Sequence, residues 1–442
     1  MEKNQLKELV LDAIEKHKDE IISVGREIYK NPELGYKEFE TTKITSDFLA
    51  DLGIDVENNI AVTGCKAVLD TKKPGYNVAI LGELDAISCD SHKDSVDTGA
   101  VHACGHNIQV AGMLGAALGL VKSNILNQLS GKITIMGTPA EEFVEIGYRS
   151  ELRKSGKIKY FGGKQELIRK GYFDDVDISM MFHALDMKDK DVLIGPVSNG
   201  FIGKDIRFIG KESHAGTAPW EGINALNAAN LSMNNINAQR ETFKDSDRVR
   251  VHPIITKGGD IVNSVPSEVK MESYVRARTI EGMLDANKKV DRSLKAGAMA
   301  VGASVEINSI PGYLPILRNE SLDNLFKENL IFIGLDENSI VEGGDFTGSF
   351  DFGDVSHLMP TVHPMVGGIT GNLHTREYEI VDEEKAYIIP AKAMALTVVD
   401  LLFDDGKCAK EILENFTPAM TKESYLSFME SLDKVENFDG KI

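Results

Sequence analysis

The sequence predicts an α/β protein in two parts: a larger domain with a mixed or parallel sheet flanked by helices, and an inserted ferredoxin-like α+β domain. Three observations carry this. At 442 residues the chain exceeds what one hydrophobic core usually supports. Short apolar or β-branched runs bounded by Gly and Pro alternate with helical periodicities, as in a sheet covered by helices on both faces. From about Ser198 to Pro311 the order strand, helix, strand, strand, helix, strand stands by itself, which is the ferredoxin-like pattern. The expected boundaries are 1–197 and 312–442 for the larger domain and 198–311 for the smaller.

Taken in order, Leu6, Leu9, Val10, Ile14, Ile21 and Ile22 repeat near the helical period, and a turn at Asn31-Pro32 leads to a second helix, Glu38 to Leu52. The period then shortens. Cys65 to Asp70, Val78 to Glu83 and Lys132 to Thr138 read as strands, with Val110 to Val121, rich in Gly and Ala, as a buried helix. The inserted part reads as strand Lys204 to Gly210, helix Ile223 to Arg240, strands Arg248 to Thr256 and Glu268 to Arg278, helix Ile280 to Ala300 and strand Ser304 to Ser309. Helical and strand segments return through Leu402, and residues after about Asp404 read as a charged helical tail.

Composition narrows the functional classes. A formal charge of −19, from 49 basic and 68 acidic side chains, disfavours nucleic acid as a partner. The Lys- and Glu-rich start lacks the apolar core of a signal peptide, and no apolar stretch reaches the roughly 18 residues that span a bilayer. Cys65, Cys89, Cys104 and Cys408 show no disulfide framework, so a reducing, cytoplasmic setting is expected, with no membrane partner.

The sharpest local signal is His102-Ala103-Cys104-Gly105-His106-Asn107, at the start of the Gly/Ala-rich helix. A Cys and a His separated by one Gly can aim two donors at one transition-metal ion from a tight turn. Cys104 alone would read as a core cysteine, or as a nucleophile. The strand ending at Thr138 runs into Pro139-Ala140-Glu141-Glu142, which puts adjacent carboxylates at the carboxyl edge of the sheet, where α/β proteins bind ligands. Adjacent side chains diverge, so one can ligate metal while the other takes a proton from the attacking water. The blander alternative is a solvated acidic pair at a helix start. His183 closes the apolar run Ile178 to Phe182, and His374 sits in a Gly-rich loop. Either, taken singly, also reads as a structural histidine.

Together, His-Ala-Cys-Gly-His-Asn at 102–107, Thr-Pro-Ala-Glu-Glu at 138–142, Phe-His-Ala at 182–184 and Ser-His-Ala-Gly at 213–216 resemble the aminoacylase/carboxypeptidase metallohydrolase family. Within it the chain is similar to the aminobenzoyl-glutamate hydrolase and aminoacylase-1-like-protein-2 branch, over about residues 5–400. The resemblance implies two divalent ions, zinc or manganese, held by Cys104, His106, Glu142, His183 and His374. It implies Glu141 as general base and Asp85, in Gly82-Glu83-Leu84-Asp85-Ala86, as the carboxylate that orients a ligand. In the inserted domain it implies that His214, Asn263 and Arg276 bind the substrate carboxylate and polarise the scissile carbonyl, the histidine often coming from a second copy of the chain. The substrate implied is a small carboxylate-bearing amide, an N-acyl or N-aroyl amino acid or a dipeptide, cleaved by a homodimer joined through the lid. Dipeptidase or carboxypeptidase action, a non-catalytic metal protein and a Cys104-nucleophile hydrolase stand as alternatives. Three features depart from the wider family: Asn107 where most members have Asp, Gln109 where many have His, and a longer basic insertion between Glu142 and Asp175 carrying Arg149, Arg153, Lys154, Lys157 and Lys159. That insertion could shape substrate entry or a subunit contact, but as a charge run it reads most simply as a solvated loop.

Overall fold

The computed structural model describes residues 1–440 and divides the chain into two compact units. The larger comprises Met1–Pro196, Leu317–Asp345 and Asp354–Met420; the smaller comprises Val197–Ile316, Phe346–Gly353 and the residues from Thr421 onward.

The larger unit is built on a six-stranded sheet in the order Val56–Ile60, Gly64–Asp70, Lys132–Thr138, Asn77–Glu83, Ile178–Met180, Thr361–Val362. The sheet is mixed. The first two pairings are antiparallel, and from Lys132–Thr138 onward every pairing is parallel. The four parallel strands therefore end at one edge, and the segments leaving that edge carry the polar residues of the candidate site. Strand Asn77–Glu83 is buried along its whole length, as expected for a strand covered on both faces. Helix His106–Lys122 is buried from His106 to Leu120 and packs against helices Lys3–Lys16, Lys18–Lys30 and Ile389–Leu402. Its Ala, Gly and Leu content suits a helix that meets protein on every side. The amphipathic start is two helices rather than one, because His17 (φ −110°, ψ 15°) leaves helical geometry between them. Among the described residues no single helix is long and apolar enough to cross a membrane.

The smaller unit carries the expected ferredoxin-like order. Strands Arg250–Lys257, Glu268–Ala277, Gly200–Ile209 and Ser304–Pro311 lie side by side, all antiparallel, with helices Ala225–Ala238 and Ile280–Ala300 against them. Ile206, Phe208, Val269, Met271, Val290 and Leu294 belong to its core.

Three expectations need correction. Assigning everything after 312 to the larger domain fails at residues up to Ile316, at Phe346–Gly353 and beyond Met420, and the helical tail read after Asp404 fails beyond Leu432. Helix Lys422–Leu432 is followed by strand Lys434–Asp439, which pairs antiparallel with Ser304–Pro311 and makes a fifth strand of the smaller sheet. Its sequence, Lys-Val-Glu-Asn-Phe-Asp, has too little apolar alternation to announce a strand. The basic insertion is likewise not a solvated loop. It forms helices Ile146–Lys154 and Gly163–Lys170, and Arg149 is only 1% exposed.

Candidate metal centre

Gly105 explains how one hexapeptide supplies two converging donors. It takes φ +78° between Cys104 and His106, a conformation that costs glycine nothing, and so starts the helix with both side chains turned to the same side. Cys104 and His106 are buried, and with His183 they form a set whose donor atoms lie within 4.8 Å of one another. A second such set is Cys104, Glu142 and His374, and a third is Glu83, His106, Glu141 and His183. Cys104, His106, Glu141, Glu142, His183 and His374 are thus brought into one cluster from four parts of the chain. His374 is its exposed member, with φ +62° and its backbone N–H donating to the Ala103 carbonyl.

Asp85 lies behind the cluster. Its carbonyl and Oδ1 face His106 Nδ1 at 2.8 and 3.2 Å, and its Oδ2 accepts the Glu142 backbone N–H at 2.9 Å. One residue therefore orients both a histidine and the turn that carries the glutamates. Behind His183, Nδ1 meets His363 Nε2 at 2.8 Å.

The Pro-Ala-Glu-Glu turn is held in a strained form. Ala140 has φ +54°, a region a side chain normally avoids, and such residues persist only where their surroundings over-determine them. Here the buried Glu38 Oε1 accepts the Ala140 N–H at 2.7 Å, while the Ala140 carbonyl accepts from Gly163 N–H at 3.2 Å. Gly163 has to be glycine, because a Cβ there would stand 1.6 Å from the Pro139 carbonyl oxygen. Arg149, from the insertion, donates to the carbonyls of Glu142 and of Phe161 (2.6 Å), and longer to that of Ala140 (3.4 Å).

Glu83, Lys164 and Gln109 complete the centre; the sequence reading missed the first two and noted Gln109 only as a departure from the wider family. Glu83 Oε2 lies 3.1 Å from His106 Nε2 and 3.2 Å from His183 Nε2, and accepts from Gln109 Nε2 at 2.8 Å; Oε1 accepts from Lys164 Nζ at 2.5 Å. All five side chains are fully buried. The available signal was a carboxylate closing a wholly buried strand two residues before Asp85. Gln109, a departure from the wider family, holds Glu83 at both its side chain and its backbone N–H.

The electrostatics match a site made for cations. Burial, reinforced by Glu142, Glu141 and Glu83, pushes the Cys104 thiol well above its ordinary range. Burial would lower the His106 value, but Glu83 and then Asp85 outweigh it and raise it to about 9. Burial would raise Glu142, yet His374 outweighs it and brings it to about 2. His106 Nε2 and Glu142 Oε1 are buried without a properly directed hydrogen bond among the described residues. A thiol, imidazoles and carboxylates crowded together with orphaned donor atoms fit divalent metal, since a cation both permits the thiolate and satisfies the lone pairs.

The smaller unit holds the other three expected residues apart. The loops of His214 and Asn263 are tied by the bridge His214–Ser264 and by Ala215 N–H donating to the Asn263 carbonyl at 2.9 Å. His214 is exposed, and its Nδ1 accepts from the N–H groups of Gly216 and Thr217 at 3.1 Å each, so the ring hydrogen sits on Nε2, facing outward as a donor. Arg276 donates to Ser349 Oγ at 2.9 Å and lies 5.3 Å from the ring centres of both Phe201 and Tyr274. Asn263 precedes strand Glu268–Ala277 and Arg276 is next to its far end, about 27 Å from the strand's first residue at about 3.4 Å per residue. Within one chain, then, the His214 and Asn263 loops and Arg276 belong to opposite ends of this strand.

Comparison with known proteins agrees with this geometry. The model of peptidase family M20/M25/M40 matches residues 79–400. The chain is 29% identical to the Xaa-Arg dipeptidase of Homo sapiens over 95% of this chain and 94% of that one. It is 24% identical to a p-aminobenzoyl-glutamate hydrolase homolog of Haemophilus influenzae, over 69% of this chain and 77% of that one. Among solved structures, that of a putative aminohydrolase from methicillin-resistant Staphylococcus aureus superposes with a TM-score of 0.72 at 23% identity, covering 90% of this chain and all of that one. With the family match spanning most of the chain and a buried cluster of metal-type donors at the carboxyl edge of its sheet, this protein belongs to peptidase family M20/M25/M40 and is a metal-dependent hydrolase.

Proposed function

We propose that the protein hydrolyses the amide bond of an N-acyl or N-aroyl amino acid, or of a dipeptide, using two divalent ions, zinc or manganese. The observation that carries this is the meeting of Cys104, Glu142 and His374 with Cys104, His106 and His183 in one cluster, buried except at His374, beside a further carboxylate, Glu141. These five residues would hold the ions, which when bound act as Lewis acids and make water a nucleophile at neutral pH. Glu141 accepts the proton of the attacking water and delivers it to the leaving amine. Asp85 keeps His106 and the Glu141-Glu142 turn in place. Arg276, a fixed bidentate donor held against two rings, anchors the free carboxylate of the substrate.

His214 donates from Nε2 to the developing oxyanion, with Asn263 beside it. Because these two lie at the opposite end of the sheet from Arg276, both groups serve one substrate only if His214 and Asn263 come from a second copy. Strand Arg250–Lys257 is an edge of the sheet with Ile254 and Ile255 exposed, and Ile261, Val262 and Trp220 are exposed in the neighbouring segments. Such an edge is suited to a twofold pairing, which would carry one copy's His214 end to the other's Arg276 end. The four cysteines are thiols, in keeping with a cytoplasmic location.

Dipeptidase action is the second reading, favoured by the similarity to the Xaa-Arg dipeptidase along almost the whole chain. The test is metal content together with hydrolysis of N-acyl amino acids, aminobenzoyl-glutamate and dipeptides, before and after chelation. About two ions per chain and chelator-sensitive, metal-restored cleavage are expected; a requirement for a free substrate amino group selects the dipeptidase. Glu141→Gln should keep its metal and lose nearly all turnover, while Glu142→Ala should lose metal. Equal metal loss in both removes Glu141 as the base, and cleavage by metal-free protein overturns the mechanism.

A further inference from the structure

Glu83 stands outside the five-residue set proposed above, yet it is the best-supported side chain in the cluster. Its carboxylate has about four lone-pair sites. Lys164 Nζ takes one on Oε1, and Gln109 Nε2 takes one on Oε2. What remains of Oε2 faces the Nε2 atoms of His106 and His183 at 3.1 and 3.2 Å.

The His106 side of this contact has a defined hydrogen pattern. Nδ1 faces the backbone carbonyl of Asp85 at 2.8 Å, and a carbonyl only accepts, so Nδ1 carries the hydrogen. A neutral His106 then turns the lone pair of Nε2 toward a carboxylate oxygen. At 3.1 Å this nitrogen and this oxygen are placed to share one cation, and a metal ion held by His106 takes the position that an Nε2 proton would otherwise fill. The separations suit a metal in that role. With bonds of about 2.0–2.2 Å, two ligands of one ion stand about 3.0 Å apart at a right angle and about 3.4 Å apart at the tetrahedral angle. Both distances from Glu83 fall within that interval.

We propose that Glu83 is a sixth protein ligand, binding through Oε2 the ion shared by His106 and His183, with Lys164 and Gln109 as the positioning residues that fix its carboxylate. This rests on the metallohydrolase reading and adds to it. The second ion, on Glu142 and His374, does not involve Glu83. Lys164 on Oε1 and Gln109 on Oε2 fix the carboxylate with Oε2 turned to the two imidazoles.

The test is metal stoichiometry and affinity, measured by competition with a chromophoric chelator, on the wild-type full chain and on Glu83→Gln, Gln109→Leu and Glu142→Ala. Glu83→Gln should weaken one of two equivalents at least tenfold and leave the other unchanged. Gln109→Leu should weaken the same equivalent by a smaller factor, as loss of a ligand's support typically does. Glu142→Ala should weaken the other equivalent. If Glu83→Gln binds both equivalents with wild-type affinity, the proposal is wrong. If wild-type protein binds no divalent metal, the underlying reading fails instead. Should Glu83→Gln not fold, a crystal structure of the manganese-loaded wild type decides. A Glu83 oxygen about 2.2 Å from an ion is the expected result, and an ion held by His106 and His183 more than about 3 Å from Glu83 overturns it.

Discussion

Replacing Arg149 with Met tests whether the insertion supports the metal centre or merely decorates it. The guanidinium is buried and donates to the carbonyls of Glu142 and Phe161, with a longer contact to that of Ala140. It also lies 5.4 Å from the ring centre of Tyr36 and 6.0 Å from that of Phe143. Methionine fills most of the volume and leaves two well-bonded carbonyls buried and unpaired, at about 1–3 kcal/mol each. Lost ring contacts add about 1 kcal/mol, while release of a buried charge returns part of the total. The net expectation is about 3 kcal/mol of destabilisation, or a fall in Tm of roughly 5 °C for a unit of this size. Because one of the stranded carbonyls belongs to Glu142, metal affinity should fall as well. Arg149→Lys should rescue little, since one ammonium cannot span two carbonyls as a planar fork does. Calorimetry on chelated protein and a metal competition titration measure the two effects. A variant that melts within about 2 °C of wild type and holds metal equally well would refute the clamp.

Two further expectations concern buried groups nearby. Asn107 donates from Nδ2 to the Gly25 carbonyl at 3.2 Å and to the Tyr387 hydroxyl at 3.0 Å. Asn107→Asp sets a buried carboxylate against that carbonyl and should cost about 3 kcal/mol at pH 7, less at pH 5; an unchanged urea midpoint at both would contradict this. Glu38 is held up at about 7 by burial first and by Asp85 second. Its folded value lies above the ordinary 4.5, so the native state binds the proton more tightly, and the associated stability is complete below about pH 4.5 and lost as pH rises through 7. The amount is about 3 kcal/mol, and Glu38→Gln should flatten this slope in denaturant titrations between pH 5 and 8.

Much of this organisation could be read from the chain because local pattern and tertiary role coincide there. The strand runs at 65–70, 78–83 and 132–138 are short, apolar and punctuated, and appear where expected. The ferredoxin-like order was likewise legible from alternating period. Cys104, His106, Glu141 and Glu142 announced themselves by crowding. What stayed hidden depends on partners distant in sequence. Glu83 looked like the end of a strand until Lys164, His106 and His183 were seen around it. Arg149 lay in a run of basic residues, and nothing local separates a guanidinium that caps carbonyls from one that faces water. The distance between Asn263 and Arg276 follows from strand direction, which no motif conveys.

The fifth strand of the smaller sheet has a consequence for how the protein is made. Ser304–Pro311 acquires its outer neighbour from Lys434–Asp439, which emerges from the ribosome about 120 residues later, a delay of roughly 6–25 s at about 5–20 residues per second. During that interval Ser304–Pro311 presents unpaired amides and carbonyls to whatever strand comes near. Deleting Lys434–Asp439 would make that window permanent. The first symptom expected is concentration-dependent aggregation of newly made chains, ahead of any loss of metal or turnover in the molecules that fold.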